Sequence, residues 1–174
     1  MPLDANGIWQ YTGDEMAAPA PVMLNRLAKS TSDALAALKA STPWTPFTPT
    51  VYNLVLGNGT TFARYKKTID GVVHYRGRVT MGTTTTYPGG SFLFSLPFPM
   101  MANPDDRVPQ GVAAVVDTDA VKFWAGVVRA ALPAVDRVAI NAGPTGYLIH
   151  ANEPMVWAPG DSFGWNMTYE PAQP

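Results

Sequence analysis

From residue 50 onward, hydrophobic residues alternate with polar ones in short runs broken by Gly, Pro and Asp. Successive strand side chains point to opposite faces, so a period of two calls for strands with one buried face. In the run 72–81, Val73, Tyr75, Val79 and Met81 point one way and His74, Arg76 and Arg78 the other. Phe92, Phe94, Leu96 and Phe98 alternate in the same manner, as do Phe163, Trp165, Met167 and Tyr169 near the end. Further runs fall at 51–56, 61–69, 108–116, 122–128, 137–141 and 147–150. Asp70-Gly71 is a good hairpin dipeptide, and Gly57-Asn58-Gly59 is a turn signal. About nine short strands at such spacing predict a mainly β head over residues 50–174, an antiparallel β-sandwich or jelly roll.

The first 49 residues have a different character. Residues 1–20 carry Pro2, Gly7, Gly13 and Pro19 around Leu3, Ile8, Trp9 and Tyr11. A segment so interrupted builds no core of its own, and its large apolar side chains call for a partner surface. Residues 21–40 read as a short α-helix. Pro21 suits its first turn, and Leu24, Leu27, Thr31, Ala34 and Leu38 form a stripe at three-four spacing. Two heptads are too few for a stable isolated coiled coil, so the stripe is expected to bundle with copies of itself under a larger head. Pro43, Pro46 and Pro49 then predict a stiff connector over 41–49.

Of the 174 residues, 47% are hydrophobic and only 14% charged, well below the usual quarter. A surface so poor in charge favours self-association. The net charge of -1 gives no electrostatic basis for nucleic-acid binding, and the absence of cysteine removes disulfides and thiolate chemistry. The N-terminus is neither basic nor continuously apolar, so no export signal is expected. No run approaches the ~18 apolar residues of a membrane span, so neither is membrane insertion.

The opening PLDANGIWQYTGDE, leading into LNRLAKSTSDAL, resembles the N-terminus shared by many small tail and fibre proteins of phages that infect actinobacteria. Leu3, Asp4, Asn6, Gly7, Ile8, Trp9, Tyr11, Thr12, Asp14 and Glu15 match that pattern, and Gly13 stands where it usually has an acid. Trp44 with PTVYNLVLGNGTTFARYKK, the strand HYRGRVTMG and the closing PMVWAPGDSFGWNMTYE are similar to the β heads of the same proteins. The resemblance implies a virion protein, a homotrimer whose arm, with Leu3, Ile8, Trp9 and Tyr11, contacts other virion proteins. It does not separate a tail fibre from a capsid protein.

No catalytic constellation stands out. The two histidines, His74 and His150, have no acid or nucleophile at a recognisable spacing. Asp117-Thr118-Asp119 could offer oxygen ligands to a cation but reads more simply as a capped turn. No enzyme activity, cofactor or metal is expected. Arg64, Lys66, Lys67, His74, Arg76 and Arg78 concentrate positive charge on one predicted hairpin. They are candidates, with Trp124 and Tyr147, for contact with an anionic host-surface glycan. A solvated outer face or ion pairs between chains would use the same basic residues. Trp165 reads as core, and Trp157 as packing or ligand contact.

The function expected is therefore that of a tail-fibre or receptor-binding spike on a phage particle. A capsid decoration or head-fibre protein and a free-standing carbohydrate-binding module are the alternatives.

Overall fold

The computed structural model describes residues 20–39, 43–101 and 109–172. The chain divides between Thr42 and Pro43 into two units, each described by itself. The described part of the first is a helix, α1 (Ala20–Lys39). Lys29 and Asp33, one turn apart, form an exposed ion pair at 2.8 Å on its surface. No described helix is long and apolar enough to cross a membrane.

The second unit is mainly β. Its strands are β1 (Thr45–Pro46), β2 (Val51–Tyr52), β3 (Thr60–Lys67), β4 (Val73–Thr80), β5 (Leu93–Ser95), β6 (Gly111–Asp117), β7 (Lys122–Ala131), β8 (Ala134–Ala142) and β9 (Ser162–Tyr169). They form one antiparallel sheet in the order β1-β3-β4-β9-β6-β7-β8-β5-β2. Curling brings the β5 end of this sheet over β4 and β9. Phe94 of β5 stacks on Trp165 of β9 with ring centres 4.1 Å apart and lies 6.4 Å from Tyr75 of β4. The strand pattern led to the expectation of an antiparallel sandwich or jelly roll; what forms is a single curled antiparallel sheet of nine strands.

Period-two patterning places that core correctly. Val73, Tyr75, Val79 and Met81 are buried, as are Phe163, Trp165, Met167 and Tyr169, while Phe98 is only half-buried. Trp157 is buried too, its indole N–H donating to the His150 carbonyl at 2.8 Å. A glycine interrupts β4 because a Cβ at Gly77 would lie 2.5 Å from Trp165 Cζ2. The bare backbone at that one position lets the indole pack closer.

Several boundaries differ from the sequence reading. Residues 43–49, read as part of a connector, belong to the β unit. There Thr45 and Pro46 pair with Tyr65 and Arg64, and Phe47 packs on Tyr75 with ring centres 5.8 Å apart. Edge position is what lets Pro46 sit in a strand at all. The run 51–56 stops after two residues because Asn53 takes φ 62° and donates from Nδ2 to the Ser91 carbonyl at 2.7 Å. Residues 147–150 make only isolated bridges, Asn141 to Leu148, Ser91 to His150 and His150 to Glu153.

The buried phenols give the β unit a pH limit. Tyr75 donates to the Ser95 carbonyl at 3.3 Å, and burial, aided by the neighbouring Tyr169, pushes its ionisation well above the usual range. Burial pushes Tyr169 up in the same way. A folded-state pKa raised above the unfolded one leaves stability intact below about pH 10 and erodes it as pH rises further. Urea midpoints should therefore hold to about pH 10 and then fall, as the unfolding free energy drops by up to ~1.4 kcal/mol per pH unit for Tyr75. A constant midpoint through about pH 11 would contradict this.

Candidate functional site: the outer face of the first long hairpin

The β3–β4 hairpin is closed by Thr68, Asp70 and Gly71. The Thr68 hydroxyl bonds the Asp70 carboxylate, the Thr68 N–H donates to the Val72 carbonyl at 2.8 Å, and Gly71 supplies φ +89°. The Thr68 hydroxyl, then the Val72 amide, hold the Asp70 carboxyl below its ordinary value. This turn fixes the register, and register decides which charges meet.

Arg64 lies directly opposite Arg76, Lys66 opposite His74, and Phe62 opposite Arg78. These six alternate with the inward Ala63, Tyr75 and Val79, so they share the outer face of the sheet. Trp44, just before β1, joins them. Its ring centre is 4.3 Å from Arg76 Cζ, 5.4 Å from Arg64 Cζ and 5.5 Å from Lys66 Nζ. Arg64 Cζ is also 5.5 Å from the Phe62 ring. Among the described residues the ion pairs are Lys29–Asp33 and Arg137–Asp136, neither of them here. Further along the outer face, Asn166 of β9 stands beside Arg76, and Thr168 Oγ1 is 3.1 Å from His74 Nδ1.

Of the residues the sequence proposed for ligand contact, Arg64, His74, Arg76 and Arg78 come together here. Lys67 does not. It pairs with Val73, and its Nζ lies 5.6 Å from the Phe98 ring on the opposite side of the hairpin. Strict alternation at 66 and 67 separates the two lysines, which a plain reading of a basic run overlooks. Trp124 is also elsewhere: it sits on β7 opposite the buried Val115 and packs against the core. Tyr147 is exposed in the loop after Gly146 and does not join the cluster. Trp44 and Phe62 were not among the candidates. Phe62 could have been found from its i, i+2 spacing to Arg64, but Trp44 reaches the hairpin only through the β1–β3 pairing.

The remaining candidates are placed as follows. Leu24, Leu27 and Thr31 are exposed along α1 and Ala34 is half-buried. Leu38 lies on α1, but its side chain is outside the described residues, as are Leu3, Ile8, Trp9 and Tyr11 altogether. Asp117 accepts the Ala120 N–H at 2.8 Å, and the Thr118 N–H goes to the buried Asp161 at 2.9 Å, so Asp117-Thr118-Asp119 lies in a knitted turn. No described group of three or more His, Asp or Glu is arranged to hold a metal ion. His150 Nδ1 accepts the Asn152 N–H at 3.2 Å.

Two other features of the β unit stand apart from this face. An open groove of about 360 Å³ over β7 and β8 is lined by Val127, Arg129, Asn141 and Gly146. Its polar groups satisfy one another: Arg129 Nε donates to Asn141 Oδ1 at 2.8 Å, and Asn141 Nδ2 to the Gly146 carbonyl at 2.7 Å. Beside it, Val112, Ala114, Phe123 and Ala125 are exposed on β6 and β7. No protein-family model, curated protein or solved structure matches this chain.

Proposed function

We propose that this chain is a structural protein of a tailed-phage virion. In this reading it is a tail-fibre or receptor-binding spike that attaches through its N-terminal arm and presents the β unit, a sandwich-type head, to the host surface. The observation that carries the binding role is the outer hairpin face, where Arg64, Lys66 and Arg76 surround Trp44 without a described acid in ion-pair range. The side chains there suit recognition of an anionic surface polymer. In this reading the head binds without catalysing; the described contacts of the two histidine rings run to a hydroxyl and a backbone amide. The virion assignment draws on the resemblance of residues 1–20 to phage tail and fibre proteins.

Homotrimerisation is part of the reading. The exposed Leu24 and Leu27 of α1, the uncovered strip of Val112 and Phe123, and a charged share of 14% all favour burial between copies. Three heads would turn weak single contacts into avidity, so millimolar binding by one head, about -4 kcal/mol, is enough for an adhesin. The same apolar strip on β6 and β7 also fits lateral contact with neighbouring proteins on a shell, which favours capsid decoration as the second reading.

Adsorption separates the two. Virions carrying Arg76→Ser and Arg78→Ser should adsorb several-fold more weakly than the parent, with the deficit largest at low salt, where charge contacts are least screened. Adsorption equal to the parent across salt concentrations would make the basic hairpin structural and favour decoration.

A further inference from the structure

Arg64 and Arg76 face each other on adjacent strands, an arrangement in which like charges repel. Each also has its Nε shielded from solvent with no hydrogen-bond partner. Buried donors are normally satisfied, so these two nitrogens are an uncompensated cost beside a pair of like charges, which an anion held by the same two guanidiniums would relieve. We propose that the outer face of β3–β4 binds a linear polyol-phosphate polymer, a phosphodiester polyanion without bases, with Arg64 and Arg76 gripping one phosphate between them.

The chemistry favours phosphate on three counts. First, a phosphodiester spreads its single negative charge over two non-bridging oxygens set tetrahedrally, so one group reaches guanidinium forks on both strands. Second, Arg76 and Arg78 are two residues apart on one strand, a pitch of about 6.7 Å, and Arg64 and Lys66 repeat that pitch on the next. A chain with charge recurring at a similar interval meets successive cations. Third, the uncharged parts of such a polymer have matching neighbours. Trp44 and Phe62 offer apolar plates, and the exposed Asn166 and Thr168 of β9 offer partners for hydroxyls. The inference rests on the reading of this face as the host-contacting surface, and narrows the class of polymer it meets.

Calorimetric titration of the purified full-length chain tests it, with three probes: a poly(glycerol phosphate) oligomer, polygalacturonate and an oligodeoxythymidylate. The expected result is that poly(glycerol phosphate) binds most tightly and weakens as salt rises. Arg64→Gln with Arg76→Gln should reduce its affinity at least tenfold and flatten the log–log salt slope by roughly 0.7 for each phosphate no longer neutralised. Arg137→Gln, whose guanidinium pairs with Asp136 elsewhere, should change nothing. If the double variant fails to fold, the exposed Arg78→Gln should still lower both affinity and slope. Absence of binding at low salt, affinity unchanged in folded variants, or tighter binding of polygalacturonate or of the oligodeoxythymidylate would each overturn the proposal. Its failure is separable from that of the virion reading. A chain found on virions that ignores the phosphate polymer refutes this inference alone, and a chain that binds the polymer but is absent from virions refutes the other.

Discussion

Phe94→Ala is expected to cost the β unit about 3–5 kcal/mol, the range for removing a fully buried aromatic. Phe94 is the point where the curled sheet meets itself. Its ring stacks on Trp165 at 4.1 Å and contacts Phe163 and Tyr75 at 6.5 and 6.4 Å between centres. It sits on a strand of only three residues, held by pairs to Val51 and Val138. Truncation opens a cavity that the short strand cannot close without giving up those pairs. Domains of this kind have about 5–15 kcal/mol in total, so the variant should melt far below the parent or fail to fold. The indole N–H of Trp165 is buried without a hydrogen-bond partner, a cost that the stack has to offset, so loosening the stack exposes a second weakness. A chemical-denaturation midpoint close to the parent would show that closure does not depend on this contact.

A fragment starting at Pro43 is expected to fold and to lose particle association completely. The division between Thr42 and Pro43 leaves every described strand in one unit, including β1, which a fragment starting near residue 50 would remove. The fragment should keep the parent's β-rich circular dichroism and cooperative melt. The full-length chain should scatter light as a trimer, and no more than a trace of the fragment should be found on virions. Normal incorporation of the fragment would show that the arm and helix are not the anchor. A full-length chain that stays monomeric at micromolar concentration would remove the trimer.

Much of the fold was legible because alternation is a local property. The inward sets on β4, β5 and β9 could be assigned from spacing alone, and Asp70-Gly71 announced its hairpin. What was not legible depends on partners distant in sequence. Proline spacing made 43–49 look like a linker, yet an edge strand tolerates Pro46 once β3 is there to pair with it. Ala134–Asp136 begins β8 without any alternating signal, since its neighbours on β7 decide its pairing. The candidate site divides the same way. Arg64, Arg76 and Arg78 follow from strand parity, as does the exclusion of Lys67. Trp44 could be found only after the sheet order placed β1 beside β3.

The central claim is that this chain is carried on a virion with its head outward. Immunogold labelling of purified virions, with antibody raised against residues 43–174, tests it most directly. The account predicts gold at tail fibres or the tail tip, reproducibly and on most particles. Virions that carry no label, while the free chain is recognised in the same lysate, would contradict it.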